Sequence, residues 1–275
     1  MKTKNKQTVL ITGITGDIGT AIALKFAKHG WNILGHYNAS QTKLKALERR
    51  INLYGAEISF LKADFISQTQ VTKFLKSVSK YRIDCLVNNA GSYVVQKHFS
   101  ELSMSNLTKS FTLNVFSPIL LTTKIFEQMK KNGFGRIINI SSIATKYGGS
   151  EFSMHYGSAK MAMEGVMKTL AKAGAGHNIL VNTVRPGVID TQFHKKFSKN
   201  MDARIQLIPL KRMGQPQDVA NMIYYLASEQ NDYITNEIIT VAGGEERHSD
   251  FHALWLPPQS LIPSFNETIG KGQIL

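Results

Sequence analysis

Residues 12–19 read TGITGDIG, closing the apolar run QTVLIT (7–12) and opening a helical pattern over 17–29. Between a strand and a helix, a glycine-rich turn has physical meaning. Gly13 permits the tight turn, while Gly16 and Gly19 permit close backbone approach and helix–strand packing. The free N–H groups around Gly16, Asp17 and Ile18, with the helix dipole behind them, face an anion such as a pyrophosphate. Thr15 completes the expected cradle. Asp17 is the anomaly, a carboxylate placed where a phosphate is to be held. In the first turn of a helix an acid is itself stabilised by the dipole and can cap backbone N–H groups. Its side chain is therefore expected to point away from the pyrophosphate while its backbone contributes.

Outward from this turn, β-rich runs alternate with helical patterns almost to the end. Strands are expected at 7–12, 31–36, 57–63, 83–90, 136–142, 179–186 and 237–244, and helices at 17–29, 41–54, 68–79, 103–131, 154–175 and 215–228. The strand runs are apolar nearly throughout, as in strands covered on both faces. Strict alternation predicts an α/β fold, a doubly wound parallel seven-stranded sheet of Rossmann type with right-handed crossovers. Residues 1–244 form one expected domain. The long connection 187–213, with a short helix, has the length of a lid or binding loop. Residues 245–275 carry three prolines and several apolar residues, Trp255 and Phe265 among them. They are expected as an extension packed on the body or on a neighbouring subunit.

The chain of 275 residues is long enough to bury a sizeable core. Its 33 basic and 19 acidic residues leave a net charge of +14, which attracts anionic ligands. The lysines are scattered and no recognition motif accompanies them, so no specific nucleic-acid binding is expected. A single cysteine, Cys85, excludes an internal disulfide framework and fits a reducing compartment. No run approaches the ~20 apolar residues that span a membrane. A cytoplasmic protein without membrane or metal sites is expected.

The second strand leads into His36-Tyr37-Asn38-Ala39-Ser40, with Lys43 beyond. Dinucleotide-binding folds often place an acid here, which bonds a ribose 2′-hydroxyl and repels a 2′-phosphate. Neutral donors and a lysine do the reverse. NADP(H) is therefore favoured over NAD(H), with Tyr37, Asn38 and Ser40 as expected contacts. Further along, HYGSAK sets Tyr156 and Lys160 four residues apart, on one face of a helix. A phenol titrates near ~10, too high for proton transfer at neutral pH. A neighbouring ammonium favours the phenolate and lowers that value.

Other motifs follow in a fixed order: Asp64 in KADF, NNAG (88–91), Asn114 in FTLNVFSP, NISS (139–142), VNTVRPGVIDT (181–191), IPLKRMGQPQDVA (208–220) and YITN…VAGG. Together these motifs resemble the short-chain dehydrogenase/reductase family from about residue 7 to 244. The likeness is greatest to the single-domain branch that includes 3-oxoacyl-(acyl-carrier-protein) reductases. The resemblance implies an NADP(H)-dependent oxidoreductase that interconverts a carbonyl and a secondary alcohol by hydride transfer. Its substrate would be a small molecule or carrier-bound, and its assembly a homotetramer or homodimer. Tyr156 would be the proton donor in reduction, and Lys160 would lower its pKa and bond the nicotinamide ribose. Ser142 would hold the substrate oxygen, and Asn114 a water linking Lys160 to solvent. Asn89, Ala90 and Gly91 would line the cofactor, and Asp64 and Phe65 its adenine. Pro186, Gly187, Ile189 and Thr191 would close over the nicotinamide.

The chain also departs from the family pattern. The Ser142–Tyr156 spacing is one residue long, which a bulge at Gly148-Gly149 would absorb; Ser141 is the alternative hydroxyl. Asn236 replaces a usual glycine and Ala242 a usual aspartate. Gly133 and His177 stand where carrier-protein reductases hold arginines, which weakens the acyl-carrier reading. The contrasting function is a non-catalytic dinucleotide-binding scaffold or sensor, against which the complete Asn114–Ser142–Tyr156–Lys160 set argues. Substrate contacts are expected from Ser92, Tyr93 and Val94, from residues 143–155, and from Phe193, Phe197 and Met201. An acyl chain, a sterol-like ring and a sugar derivative all remain open.

Overall fold

All seven expected strands form, their ends within three residues of those expected. The computed structural model describes residues 6–39, 41–193 and 201–245. In chain order the strands are β1 (Thr8–Ile11), β2 (Asn32–Tyr37), β3 (Ile58–Lys62), β4 (Cys85–Asn88), β5 (Gly135–Ile140), β6 (Ile179–Pro186) and β7 (Ile238–Val241). All pair in parallel, in the spatial order β3-β2-β1-β4-β5-β6-β7. The order reverses between β1 and β4, and ligands of open α/β sheets bind in the crevice beyond the strand ends at such a point.

Two apolar cores cover the two faces. On one side α1 (Asp17–Lys28), α2 (Thr42–Asn52) and a late helix, Pro216–Ala227, bury Phe26, Ile22, Leu47 and Ile223 against Val9, Ile11 and Ile33. On the other, α3 (Gln68–Val78), α5 (Ser117–Asn132) and α7 (Met154–Gly174) bury Phe74, Leu121, Ile125 and Met163 against Leu10, Leu86, Ile137 and Val181. Strands buried on both faces need side chains that are apolar in both directions, which explains the unbroken hydrophobic runs.

The expected helix 103–131 is interrupted. It runs as α4 (Met104–Phe111), a π-helical turn over Thr112–Phe116, and α5. Pro118 has no N–H to give the carbonyl four residues back, that of Asn114, and a wider turn relieves the mismatch. A four-residue helix, α6 (Ala144–Tyr147), was not expected, while α8 (Met201–Gln206) is the short helix anticipated within 187–213. The late helix Pro216–Ala227 is α9. Asn236 takes the left-handed conformation, with φ 66°, that explains why glycine is usual there. Glu245 is buried and pairs with Arg204 of α8, so it is anchored to residues preceding the expected boundary. Ser40, Phe197 and the segment 246–275 lie outside the described residues. Among the described residues no helix is long and apolar enough to cross a membrane.

Candidate active site

The Gly-rich turn is held from below by one hydroxyl. Thr12 Oγ accepts the N–H groups of Asn89 and Ala90, each at 2.9 Å, and donates to the Val87 carbonyl at 3.3 Å. Asn89 answers by donating its side-chain amide to the Thr12 and Gly13 carbonyls at 2.9 and 3.1 Å. The NNAG stretch thus docks onto the turn, and the Asn89 side chain serves the turn itself. Gly19 is required sterically, since a Cβ there would lie 2.4 Å from the Gly13 carbonyl oxygen. Gly16 caps α1 without a side-chain bond, and Thr15, Asp17 and Ile18 are partly exposed around the helix start.

His36 departs from its expected place among the 2′-phosphate donors. It is buried, with its ring stacked on Phe65 at 3.8 Å between centroids. Its Nδ1 accepts the Gly13 N–H at 3.1 Å and its Nε2 meets the Ala63 carbonyl at 3.0 Å, which assigns the neutral Nε2–H tautomer. Burial pushes its pKa down to about 4, against the Ala63 bond and Asp64. Histidine in this position is a strut for the glycine turn. Phe65 and Tyr37 turn inward too: the Phe65 ring lies between His36 and Phe74, and Tyr37 packs edge-on against Phe60. Their rings belong to the core, because an aromatic face gains more there than at the water-exposed rim. Asn38 and Lys43 remain exposed at that corner, while Asp64 Oδ1 accepts the Ile66 N–H at 2.9 Å and shapes the turn into α3.

Beyond the ends of β4 and β5 the four expected catalytic residues converge. Tyr156 and Lys160 share one face of α7, with Lys160 Nζ 5.7 Å from the Tyr156 ring centroid. Lys160 is buried and donates to the Ile140 carbonyl at 2.8 Å. Burial lowers its pKa to about 8, against the pull of the Glu164 carboxylate. Tyr156 departs from the expected lowering by Lys160: burial raises its pKa, helped by nearby Tyr93, while a hydrogen bond with Ser142 opposes the rise. The two glycines at which a bulge was expected lie in the turn between α6 and α7. Gly148 and Gly149 adopt φ 87° and 72° in succession, ending α6 before α7 begins.

The two serines differ in their partners. Ser141 Oγ donates to Glu164 Oε1, which also receives Thr145 Oγ at 3.0 Å and Arg185 Nε at 2.7 Å, while Arg185 Nη2 donates to Oε2 at 2.6 Å. Burial would raise Glu164, but hydrogen bonds from Arg185 and Ser141 outweigh it and hold the carboxyl below its usual range. Ser141 is thereby committed, and Ser142 is the hydroxyl that meets Tyr156.

Asn114 hangs from the π-helical turn, its amide donating to the carbonyls of Ser110 at 2.9 Å and Ser92 at 3.2 Å. Its Oδ1 is buried without a partner. A Cβ on Gly91 would sit 2.7 Å from that oxygen and 2.8 Å from Lys160 Nζ, so glycine leaves both polar atoms facing one small space.

The loop after β6 completes the cleft. Gly187 N–H donates to the Val241 carbonyl at 3.0 Å, Ile189 pairs with Gly214, and Thr191 is buried with its hydroxyl on the Ile189 carbonyl at 3.3 Å. Phe193 packs on Tyr93 at 4.8 Å and faces Tyr156 at 6.3 Å; Tyr93 meets Tyr156 edge-on at 4.6 Å. Arg204, whose Nη2 donates to the Tyr147 hydroxyl at 3.0 Å, joins α8 to α6. Sequence reasoning missed Thr12, His36 as a strut, Glu164 with Arg185, and Arg204. Glu164 carried one legible signal: it lies four residues beyond Lys160, on the same helix face.

Comparison with known proteins agrees with this geometry. The family model described as enoyl-(acyl carrier protein) reductase matches residues 13–246. A 3-oxoacyl-[acyl-carrier-protein] reductase, FabG, of Aquifex aeolicus is 34% identical over 86% of this chain and 95% of its own. An L-rhamnose 1-dehydrogenase (NADP(+)) of Thermoplasma acidophilum is 32% identical over 88% of this chain and 96% of its own. Among solved structures, YwfH, an NADPH-dependent reductase involved in bacilysin biosynthesis, superposes with a TM-score of 0.81 at 27% identity, covering 89% of this chain and 100% of that one. A Gly-rich turn at the switch point of a parallel sheet, a Ser–Tyr–Lys cluster beside it, and these matches along nearly the whole described chain have one explanation: the chain belongs to the short-chain dehydrogenase/reductase family, oxidoreductases that interconvert carbonyls and alcohols with a nicotinamide dinucleotide.

Proposed function

We propose that this protein is an NADP(H)-dependent carbonyl reductase in which Tyr156, Lys160, Ser142 and Asn114 carry the proton chemistry. The observation that carries the reading is the Ser142–Tyr156 hydroxyl pair with the Lys160 ammonium behind it, formed while Ser141 is diverted to Glu164. A carbonyl oxygen placed between the two hydroxyls would find donors aimed at the charge that develops there. Burial keeps the Tyr156 phenol protonated, which suits the reduction direction. Lys160 then stabilises the phenolate left after the proton is given up. The Asn114 oxygen and the Lys160 ammonium, facing the same space beside Gly91, support a bridging water that returns a proton. A reduced nicotinamide held in the cleft would supply the hydride.

The residues present fit such a cofactor. Gly13, Thr15, Gly16, Ile18 and Gly19 would carry the pyrophosphate, and Asp64 and the Phe65 backbone the adenine. Ala90 and Gly91 would flank the adjoining ribose, and Pro186, Gly187, Ile189 and Thr191 the nicotinamide. Exposed Asn38 and Lys43, with no acid beside them, support NADP(H) over NAD(H), as do the cofactors named for the rhamnose dehydrogenase and YwfH. The cleft wall of Tyr93, Tyr147 and Phe193 supports a flat or apolar substrate body. A 3-oxoacyl group is the leading candidate on the strength of the FabG likeness. Exposed Met104, Phe116, Leu120 and Met161 on α4, the π turn, α5 and α7 support subunit pairing through these helices in a homodimer or homotetramer.

Fluorescence titration with NADPH and NADH, followed by a screen of 3-oxoacyl and sugar carbonyl substrates, tests the proposal. NADPH is expected to bind at least tenfold more tightly than NADH. Tyr156→Phe should bind NADPH as the wild type does yet lose about 10²–10⁴-fold in kcat. Full turnover in that variant would overturn the assignment, dinucleotide binding without turnover of any carbonyl in the screen would return the scaffold reading, and binding of neither dinucleotide would overturn the cradle.

A further inference from the structure

Asp17 stands in the first turn of α1, but its carboxylate is not used to cap that helix. Its Oδ2 instead accepts the backbone N–H of Gln192, 175 residues away, at 2.7 Å. Gln192 is exposed and lies between two residues that face the cleft. Before it is Thr191, buried; after it is Phe193, whose ring packs on Tyr93 and faces Tyr156. The same loop is fixed at its start by the Gly187 bond to Val241. A charged acceptor makes a backbone hydrogen bond roughly twice as strong as a neutral one. The stretch 187–193 is therefore tied at Gly187 and at Gln192, and the second tie runs to the turn expected to cradle the pyrophosphate.

We infer that Asp17 is a positioning residue that clasps the 187–193 loop across the mouth of the cofactor cleft. It thereby governs how fast the dinucleotide passes and how firmly Phe193 is set against the reaction centre. The inference rests on reading the Gly-rich turn as the dinucleotide cradle. It also accounts for an acid in that turn: engaged by the loop amide, the carboxylate is directed to Gln192. The clasp needs an acceptor atom first: a neutral amide oxygen keeps it in weaker form, and removal of the acceptor abolishes it. Asparagine can supply that atom and alanine cannot, which separates the clasp from electrostatic repulsion.

The test compares full-length wild type, Asp17→Asn and Asp17→Ala, with thermal unfolding to confirm that each folds. Without nucleotide, hydrogen–deuterium exchange of the peptide spanning 187–193 should rise about tenfold in the alanine variant and only about two- to threefold in the asparagine variant. In stopped flow, Asp17→Ala should speed both NADPH association and dissociation about tenfold with little change in Kd, and Asp17→Asn should not. With a carbonyl substrate, the alanine variant should raise KM more than it lowers kcat, and asparagine should rescue it. Equal behaviour of the two variants, with both tightening NADPH and neither loosening the loop, would show a repulsive charge and overturn the clasp. Failure of the wild type to bind either dinucleotide would overturn the cradle reading instead. The exchange measurement, which needs no nucleotide, tells the two failures apart.

Discussion

At His36 both ring nitrogens are committed in opposite senses, one accepting from Gly13 and the other donating to Ala63. A second proton has nowhere to go without breaking the bond to Gly13. The unfolded chain takes up that proton near pH 6.5, whereas the folded chain resists until about pH 4. Stability from this group is therefore full above pH 6.5 and declines as pH falls towards 4, by roughly 3 kcal/mol in all. His36→Phe keeps an aromatic ring on Phe65 but strips the Gly13 N–H of its acceptor. At pH 7.5 it should cost about 1–3 kcal/mol in urea unfolding. Between pH 6.5 and 4 its stability should fall less steeply than that of the wild type. A parallel pH dependence in the two proteins would remove His36 from this role.

At the scale of elements, α7 carries its chemistry on one face: Tyr156, Lys160 and Glu164 succeed one another at four-residue steps. The Glu164 carboxylate holds Lys160 up against burial, so the ammonium persists to about pH 8. The kcat/KM for carbonyl reduction should accordingly decline above about pH 8. Glu164→Gln removes that support and should move the decline to lower pH; an unchanged alkaline limb would show that Glu164 acts only on Arg185. The same substitution weakens a bidentate pair of low exposure and should cost about 3 kcal/mol of stability. The turn between α6 and α7 is the second critical element. At Gly149 a side chain meets both a left-handed φ of 72° and Ser153 Oγ 2.7 Å from its Cβ. Gly149→Ala should lower kcat at least tenfold by displacing Tyr156 from Ser142, while NADPH affinity, set at the far side of the cleft, stays within threefold.

On the scale of the molecule, the reversal of strand order between β1 and β4 opens one crevice, and the glycine turn, the NNAG loop and the N-terminal part of α7 all border it. The protein carries a net charge of +14, and its proposed cofactor is strongly anionic. A positive field raises the encounter rate of an anion and is screened by salt. Stopped-flow association of NADPH should therefore slow several-fold between about 20 and 300 mM salt, with dissociation little changed. A rate insensitive to salt would show that the positive field does not steer the dinucleotide to the cleft.

The sheet was legible in the sequence because a strand covered on both faces must be apolar in both directions, a pattern independent of its partners. Tyr156 and Lys160 were legible because their four-residue spacing sets them on one helix face and the motifs around them resemble those of the short-chain dehydrogenase/reductase family; spacing without that context recurs by chance on helix surfaces. Ser142 was expected from the resemblance with Ser141 as the alternative, but the partners that occupy Ser141 were not legible, since Glu164 and Arg185 arrive from two other elements to claim that hydroxyl. His36 and Phe65 read as rim residues and became core, because burial depends on what packs above them. The break in helix 103–131 at Asn114 follows from Pro118, a local signal that periodicity overrode. The direction of the Asp17 carboxylate was decided only by the tertiary fold, which brings an amide 175 residues distant to within 2.7 Å. Local pattern determines what a segment becomes; the partners of a polar atom are settled by chain closure, which no local pattern encodes.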